Sequence, residues 1–327
     1  MSEALLAYPW QSDYWQTLNA LQDQDRLPHA ILLSGPEGIG KYRFAKAFAA
    51  YLLCEQPQAA MACGKCQSCL WCKDRQHPDF KALEPPEGKR QIAVDQVREL
   101  QSFAVQRAHR EDGKKIVLIH PAESMNTNAA NALLKTLEEP AEQTLLLLVS
   151  HASSRLLPTI RSRCLQYAMK VPDPAVSEAW LQKTITDSAD LHRLMQESSG
   201  RPLTALALFE SGGLERFKEY DQALAAMLTG KTHAVAVAET FAEHEPTAVL
   251  SWWVRRLQLL ITRLVGADAE IPVPWDRLKG LDPAAIFPRL DTAQQSLAQL
   301  QRGAALNKRL LFEGILLDWQ QFCHNNA

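Results

Sequence analysis

The sequence predicts an α/β fold, a parallel sheet covered on both faces by helices, followed by an all-α remainder. Three observations predict it. Short apolar runs alternate with helix-period segments through the first half of the chain, as βα repeats do. One of those runs, His29–Leu33, ends at once in a glycine-rich stretch, Gly35-Pro-Glu-Gly-Ile-Gly40-Lys41. Strand signals largely stop at Val171-Pro-Asp-Pro174, and from about residue 211 only long amphipathic helices follow.

Taken in order, residues 13–25 read as a first helix, with Tyr14, Leu18 and Leu21 on one face. His29–Leu33 reads as a buried parallel strand, and a helix opens at Lys41 with Phe44, Phe48, Tyr51 and Leu52 at helical spacing. Cysteine-rich sequence interrupts the alternation to Cys72. Phe80–Leu83 is the next strand, with a Pro/Gly turn at 85–88, then a helix from Val94 to Ala108. Lys115–Ile119, Leu145–Val149 and Leu165–Met169 are further strands, separated by a helix from Thr127 to Leu137 and a short one around Thr159. Three short helices fit 175–210, and long ones fit 214–229, 234–243, 246–265, 282–301 and 306–322.

Length and composition set the bounds. At 327 residues the chain holds two or three domains. Its 46% apolar content is that of a globular protein, and a net charge of −2 gives no overall field drawing it onto nucleic acid. No apolar run reaches membrane-spanning length, and Met1-Ser-Glu-Ala4 lacks the basic start and apolar core of a signal peptide. A cytoplasmic location is expected, where disulfides are disfavoured.

The glycine-rich stretch nearly spells the phosphate-binding pattern G-x-x-x-x-G-K-[ST]. Gly35, Gly40 and Lys41 are present, but Tyr42 stands where a hydroxyl would bind Mg²⁺. The strand 115–119 should end in an acidic Mg²⁺ ligand, yet His120-Pro121 follows it, and Glu123 is offset towards the next helix. Both missing groups argue against hydrolysis at this site, while the loop amides and Lys41 leave weak nucleotide binding open.

Cys54, Cys63, Cys66, Cys69 and Cys72 crowd one segment, with three consecutive two-residue spacings. In a reducing compartment that spacing points to a closed, structural four-thiolate zinc site, ahead of an iron–sulfur cluster. The spacing leaves two ligand sets open, Cys63–Cys72 or one that includes Cys54. Cys164 and Cys323 read as buried thiols.

The segment Asn128-Ala-Ala-Asn-Ala-Leu-Leu-Lys-Thr-Leu-Glu-Glu-Pro140, followed by Thr159-Ile-Arg-Ser-Arg-Cys164, resembles the bacterial clamp-loader branch of the AAA+ ATPases along the whole chain. The resemblance implies an AAA+ α/β module over 1–168 with a zinc-binding insertion at 54–72. It implies a helical lid over 169–208 and a helical collar for oligomerisation over 209–327. It makes Ser162-Arg163-Cys164 the family's S-R-C motif, with Arg163 an arginine finger that reaches a neighbouring subunit's ATP. It assigns Cys54, Cys63, Cys66 and Cys69 to zinc and leaves Cys72 spare. Ser150 falls at the first sensor position, whereas Leu203 stands where the second sensor arginine is expected, with Arg201 two places early.

The implied function is a non-hydrolysing subunit of a DNA polymerase III clamp loader. Its implied partners are the ATPase (gamma/tau) and delta subunits, the sliding clamp and, through the complex, primed DNA. Two rivals remain. One is an active ATPase that uses Lys41 with an unusual Mg²⁺ shell. The other is a zinc-dependent DNA-binding protein, for which Lys65 and Lys73 offer a thin basic footprint.

Overall fold

A computed structural model describes residues 6–110, 113–266, 275–278, 280–301 and 303–326. The chain divides into two compact units, Met1–Ala207 and Leu208–Ala327.

The first unit is built on five parallel strands: β1 (Ala30–Ser34), β2 (Phe80–Leu83), β3 (Lys115–Ile119), β4 (Thr144–Ser150) and β5 (Leu165–Ala168), in the spatial order β2-β3-β4-β1-β5. Every pairing is parallel, so each crossover carries a helix and both faces are covered. This is why β1, β3 and β4 read as unbroken apolar runs: all their residues are buried.

Alternate side chains serve opposite faces. Ile31, Leu33, Ile116, Leu118, Leu147 and Val149 form one core cluster with Leu18 of α1 (Ser12–Asp23) and with Phe44 and Phe48 of α2 (Lys41–Leu53). Leu32, Val117, Ile119, Leu146 and Leu148 form the other with α4 (Val94–Ala104), α5 (Thr127–Glu138) and α6 (Pro158–Arg161). The helix α3 (Gln67–Lys73) belongs to the cysteine segment, and Cys54, Cys63, Cys69 and Cys72 join the first cluster.

The helix expected to reach Ala108 stops at Ala104. Both carboxylate oxygens of buried Asp79 accept the His109 amide, at 2.9 and 3.0 Å, which draws 105–110 out of helical register. Asp79 also pairs with Lys115 at 3.3 Å. After β5 come α7 (Pro174–Leu181), α8 (Ser188–Glu197) and α9 (Pro202–Glu210).

The second unit is helical: α10 (Gly213–Leu228), α11 (Ala234–Ala242), α12 (Pro246–Leu264), α13 (Pro283–Gln301) and α14 (Lys308–Asn326). Its core gathers Trp252, Trp253, Trp275, Trp319, Phe241 and Phe312. Inside it Arg256 and Asp221 form a two-pronged ion pair, Nε–Oδ1 2.9 Å and Nη2–Oδ2 2.8 Å, and the Trp275 indole donates to Asp221 Oδ1 at 3.0 Å. No helix among the described residues is long and apolar enough to cross a membrane.

Candidate functional site

The glycine-rich loop joins the carboxyl end of β1 to the amino end of α2, where free backbone N–H groups can meet an anion. Gly40 caps α2 in the left-handed region, φ 86°, and a Cβ there would come within 2.4 Å of the Tyr8 ring. Gly38 lies so close to the start of α9 that a Cβ would meet Thr204 Oγ1 at 2.1 Å. Glycine is therefore required at both positions for reasons of space as well as conformation.

The loop's carbonyls are taken up by the protein itself. Lys41 Nζ donates to Gly35 O at 2.7 Å and Pro36 O at 2.5 Å. The Trp10 indole and the Gln11 amide both donate to Ile39 O at 3.0 Å, and the Leu203 amide donates to Gly38 O at 3.0 Å. Lys41 is buried, and burial lowers its ammonium to about 8 against the pull of Glu123 and Glu37. Beside the loop Tyr8 and Trp10 stack at 4.7 Å, with Trp180 edge-on to both at 5.4 Å.

Where a metal-binding hydroxyl would sit, the Tyr42 phenol donates to Glu84 and its ring lies 4.4 Å from that of His120. His120 Nε2 faces His151 Nε2 at 3.1 Å. One of the two must donate and the other accept, so at least one ring is neutral. Burial depresses both, His151 to about 4.

Glu123 sits in a single 3-10 turn, Ala122–Ser124, ahead of α5 rather than in it, and its Oε1 accepts the His151 amide at 2.8 Å. Its Oε2 is buried without a hydrogen-bond partner among the described residues. Arg201 lies near Glu37, held through Nε to Ser198 O at 2.6 Å. Ser150 is the last residue of β4, fully buried, and accepts the Ala152 amide at 3.2 Å.

Away from the loop, the structure brings Cys54, Cys63, Cys66 and Cys69 together, their sulfurs all within 4.8 Å of one another, and Cys72 is outside the group. The Cys54–Cys66 and Cys63–Cys69 pairs are each 3.9 Å apart. Four Zn–S bonds of about 2.3 Å in a tetrahedron place sulfurs roughly 3.8 Å apart, so the set fits such an ion. Amides point at the sulfurs, Cys63 N to Cys54 and Cys66 N to Cys63, and hydrogen bonds from the Lys65 and then the Cys66 backbone lower Cys63 to about 6. Burial instead drives the spare Cys72 up to about 12. Ser68, between the last two members, donates to Leu53 O at 2.6 Å and meets His77 Nε2 at 2.7 Å, which ties the segment to α2 and to the start of β2.

The S-R-C stretch follows α6. Ser162 donates to Thr159 O at 3.1 Å. Arg163 stands between buried Ile160 and buried Cys164, and its guanidinium meets Glu138 at 2.7 Å and Thr159 O at 3.0 Å. Nothing in the sequence marks Glu138, His151 or Tyr8 as neighbours of the predicted residues. Each is brought in from a distant element, and only the parallel topology reveals it.

The structure thus presents a parallel α/β module with a phosphate-type loop altered at its metal-binding positions and a four-cysteine segment inserted after α2. A family model described as DNA polymerase III, delta subunit, matches residues 10–173. The delta' subunit of DNA polymerase III from Pseudomonas aeruginosa is 39% identical over 321 residues, 95% of this chain and 97% of that one. The Escherichia coli delta' subunit is 33% identical over 316 residues, 95% and 94% of the two chains. Among solved structures, a DNA polymerase III gamma subunit-related protein from Thermotoga maritima aligns at 19% identity and a TM-score of 0.48, covering 94% of this chain and 99% of that one. The chain belongs to the family of DNA polymerase III delta' subunits.

Proposed function

We propose that this chain is a structural, non-hydrolysing subunit of a clamp loader, and that its contribution to ATP chemistry is Arg163, offered to a neighbouring subunit. The observation that carries the first half is the fate of the loop. Hydrolysis needs a hydroxyl and a carboxylate on Mg²⁺ beside the β- and γ-phosphates. Here the hydroxyl position is a phenol engaged with Glu84, and the strand-end position is an imidazole in tilted contact with that phenol's ring. The lysine that would meet the phosphates holds the loop's own carbonyls.

One observation favours the active-ATPase rival, the buried and unpartnered Glu123 Oε2 near Lys41. A single carboxylate without the hydroxyl gives half of the metal shell. Arg163 in trans would stabilise charge developing on a neighbour's γ-phosphoryl group. Its support is the S-R-C match together with its rigid mounting and partial exposure.

In this reading residues 1–168 are the AAA+ body, 169–208 the lid and 209–327 the collar that assembles with gamma/tau and delta subunits in the cytoplasm. The complex opens a sliding clamp and places it on primed DNA. Cys54, Cys63, Cys66 and Cys69 would hold one Zn²⁺, which cross-links the 54–73 segment and leaves no open position for chemistry.

The test is the ATPase rate of the isolated chain. A rate at background, unchanged by Lys41→Ala and by Glu123→Gln, is expected. A robust rate lost in either variant would establish the rival.

A further inference from the structure

The arginine finger proposed above is held before any neighbour is present, and we infer that Glu138 is the residue that positions it. The inference rests on Arg163 acting in trans. Arg163 Nη2 is 2.7 Å from Glu138 Oε1, and Nη1 donates to Thr159 O at 3.0 Å. The guanidinium has five N–H groups, so these two contacts leave one on Nε and one on each Nη for a ligand. A planar fork gripped at two corners keeps its plane and its remaining donors in a fixed direction.

Both ends of the contact are rigidly mounted. Leu137, immediately before Glu138, is buried in the same core cluster as Ile160 and Cys164, which flank Arg163. The Arg163 amide donates to Ile160 O at 3.1 Å, and the Glu139 amide closes α5 on Lys135 O at 3.0 Å. The pair itself is half-exposed, 35% for the Arg163 side chain and 51% for Glu138. At that exposure an ion pair adds little to stability. Its value lies in preorganisation: a group that must meet a transferring phosphoryl group loses rate steeply when it is misplaced, by up to about 10²-fold for 1 Å. Thr159 O alone leaves the guanidinium free to swing about one contact, and Glu138 supplies the second.

The experiment uses the assembled complex with its ATPase subunits, clamp and primed DNA, and reads the DNA-stimulated ATPase as separate kcat and KM values. Glu138→Ala is expected to lower kcat by roughly half or more of the loss given by Arg163→Ala on a logarithmic scale, with KM for ATP within about twofold. Glu138→Gln, which keeps an acceptor oxygen, is expected to recover part of the loss. The double variant should be no slower than Arg163→Ala alone, since the two side chains act as one unit. Wild-type kcat in Glu138→Ala beside a slow Arg163→Ala complex would overturn the role of Glu138 and leave the finger standing. A double variant slower than Arg163→Ala would also overturn it, because Glu138 would then act by another route. Wild-type kcat in an intact Arg163→Ala complex would instead remove the finger, and the positioning role with it.

Discussion

At the scale of single residues, the loop site is a set of substitutions that fit one another. Tyr42 brings a ring, and His120 offers a ring to receive it at 4.4 Å. His151 closes the group against Glu123 and His120. Because burial holds His151 near 4, well below its ordinary value of 6.5, the unfolded chain binds protons between those values that the folded chain refuses. The stability that this contributes is present above pH 6.5 and is lost as pH falls towards 4. Between pH 7 and 5, His151→Gln should therefore lose less stability than the unsubstituted chain, measured as the shift of its urea midpoint. Equal losses in both would rule the buried neutral pair out. Tyr42 and His120 were legible as departures from a pattern, since a motif fixes what should stand at each place. Their partners Glu84 and His151 were not legible, because they come from the ends of other strands.

At the scale of elements, the cysteine segment and the second unit's core each depend on polar groups held inside apolar surroundings. The four-sulfur group takes the place of a hydrophobic core in a segment too short to build one. The chain as purified under reducing conditions should carry one zinc, and replacing Cys66 and Cys69 by Ser should abolish it, by metal analysis. A metal-free unsubstituted chain would contradict the assignment.

The choice of Cys54 over Cys72 was open on spacing alone. The structure groups Cys54, not Cys72, with the other three sulfurs, because Cys54 stands at the end of α2, where the segment folds back on it. In the helical unit, Asp221→Ala breaks the buried two-pronged pair with Arg256, a change that typically costs about 3–5 kcal/mol. The loss should show as a lower midpoint of denaturant unfolding. Replacing both residues by Leu and Met should restore much of it, because the pair is surrounded by Trp252, Trp275 and other apolar groups. No change in midpoint in the single variant would show that the pair is not load-carrying. Helix periodicity placed α10 and α12 well, but nothing in it pairs an aspartate on one with an arginine on the other.

At the scale of the whole molecule, chemistry and architecture separate. The strand–loop–helix scaffold is retained with its glycines and Lys41, while the groups that would bind Mg²⁺ are replaced. The residue best placed to act on a nucleotide lies after α6 and points to a partner's site in the proposed reading. Parallel alternation and the change of pattern near 171 were enough to derive the sheet and the helical remainder, since a buried parallel strand and an amphipathic helix each leave their own period. On the proposed reading this chain's own loop is idle and Arg163 works in trans. The most direct measurement is the DNA-stimulated ATPase of the assembled complex carrying either Lys41→Met or Arg163→Ala, each checked for intact assembly by gel filtration. An unchanged rate is expected for Lys41→Met and a clear fall for Arg163→Ala. A fall with Lys41→Met and an unchanged rate with Arg163→Ala would contradict that reading.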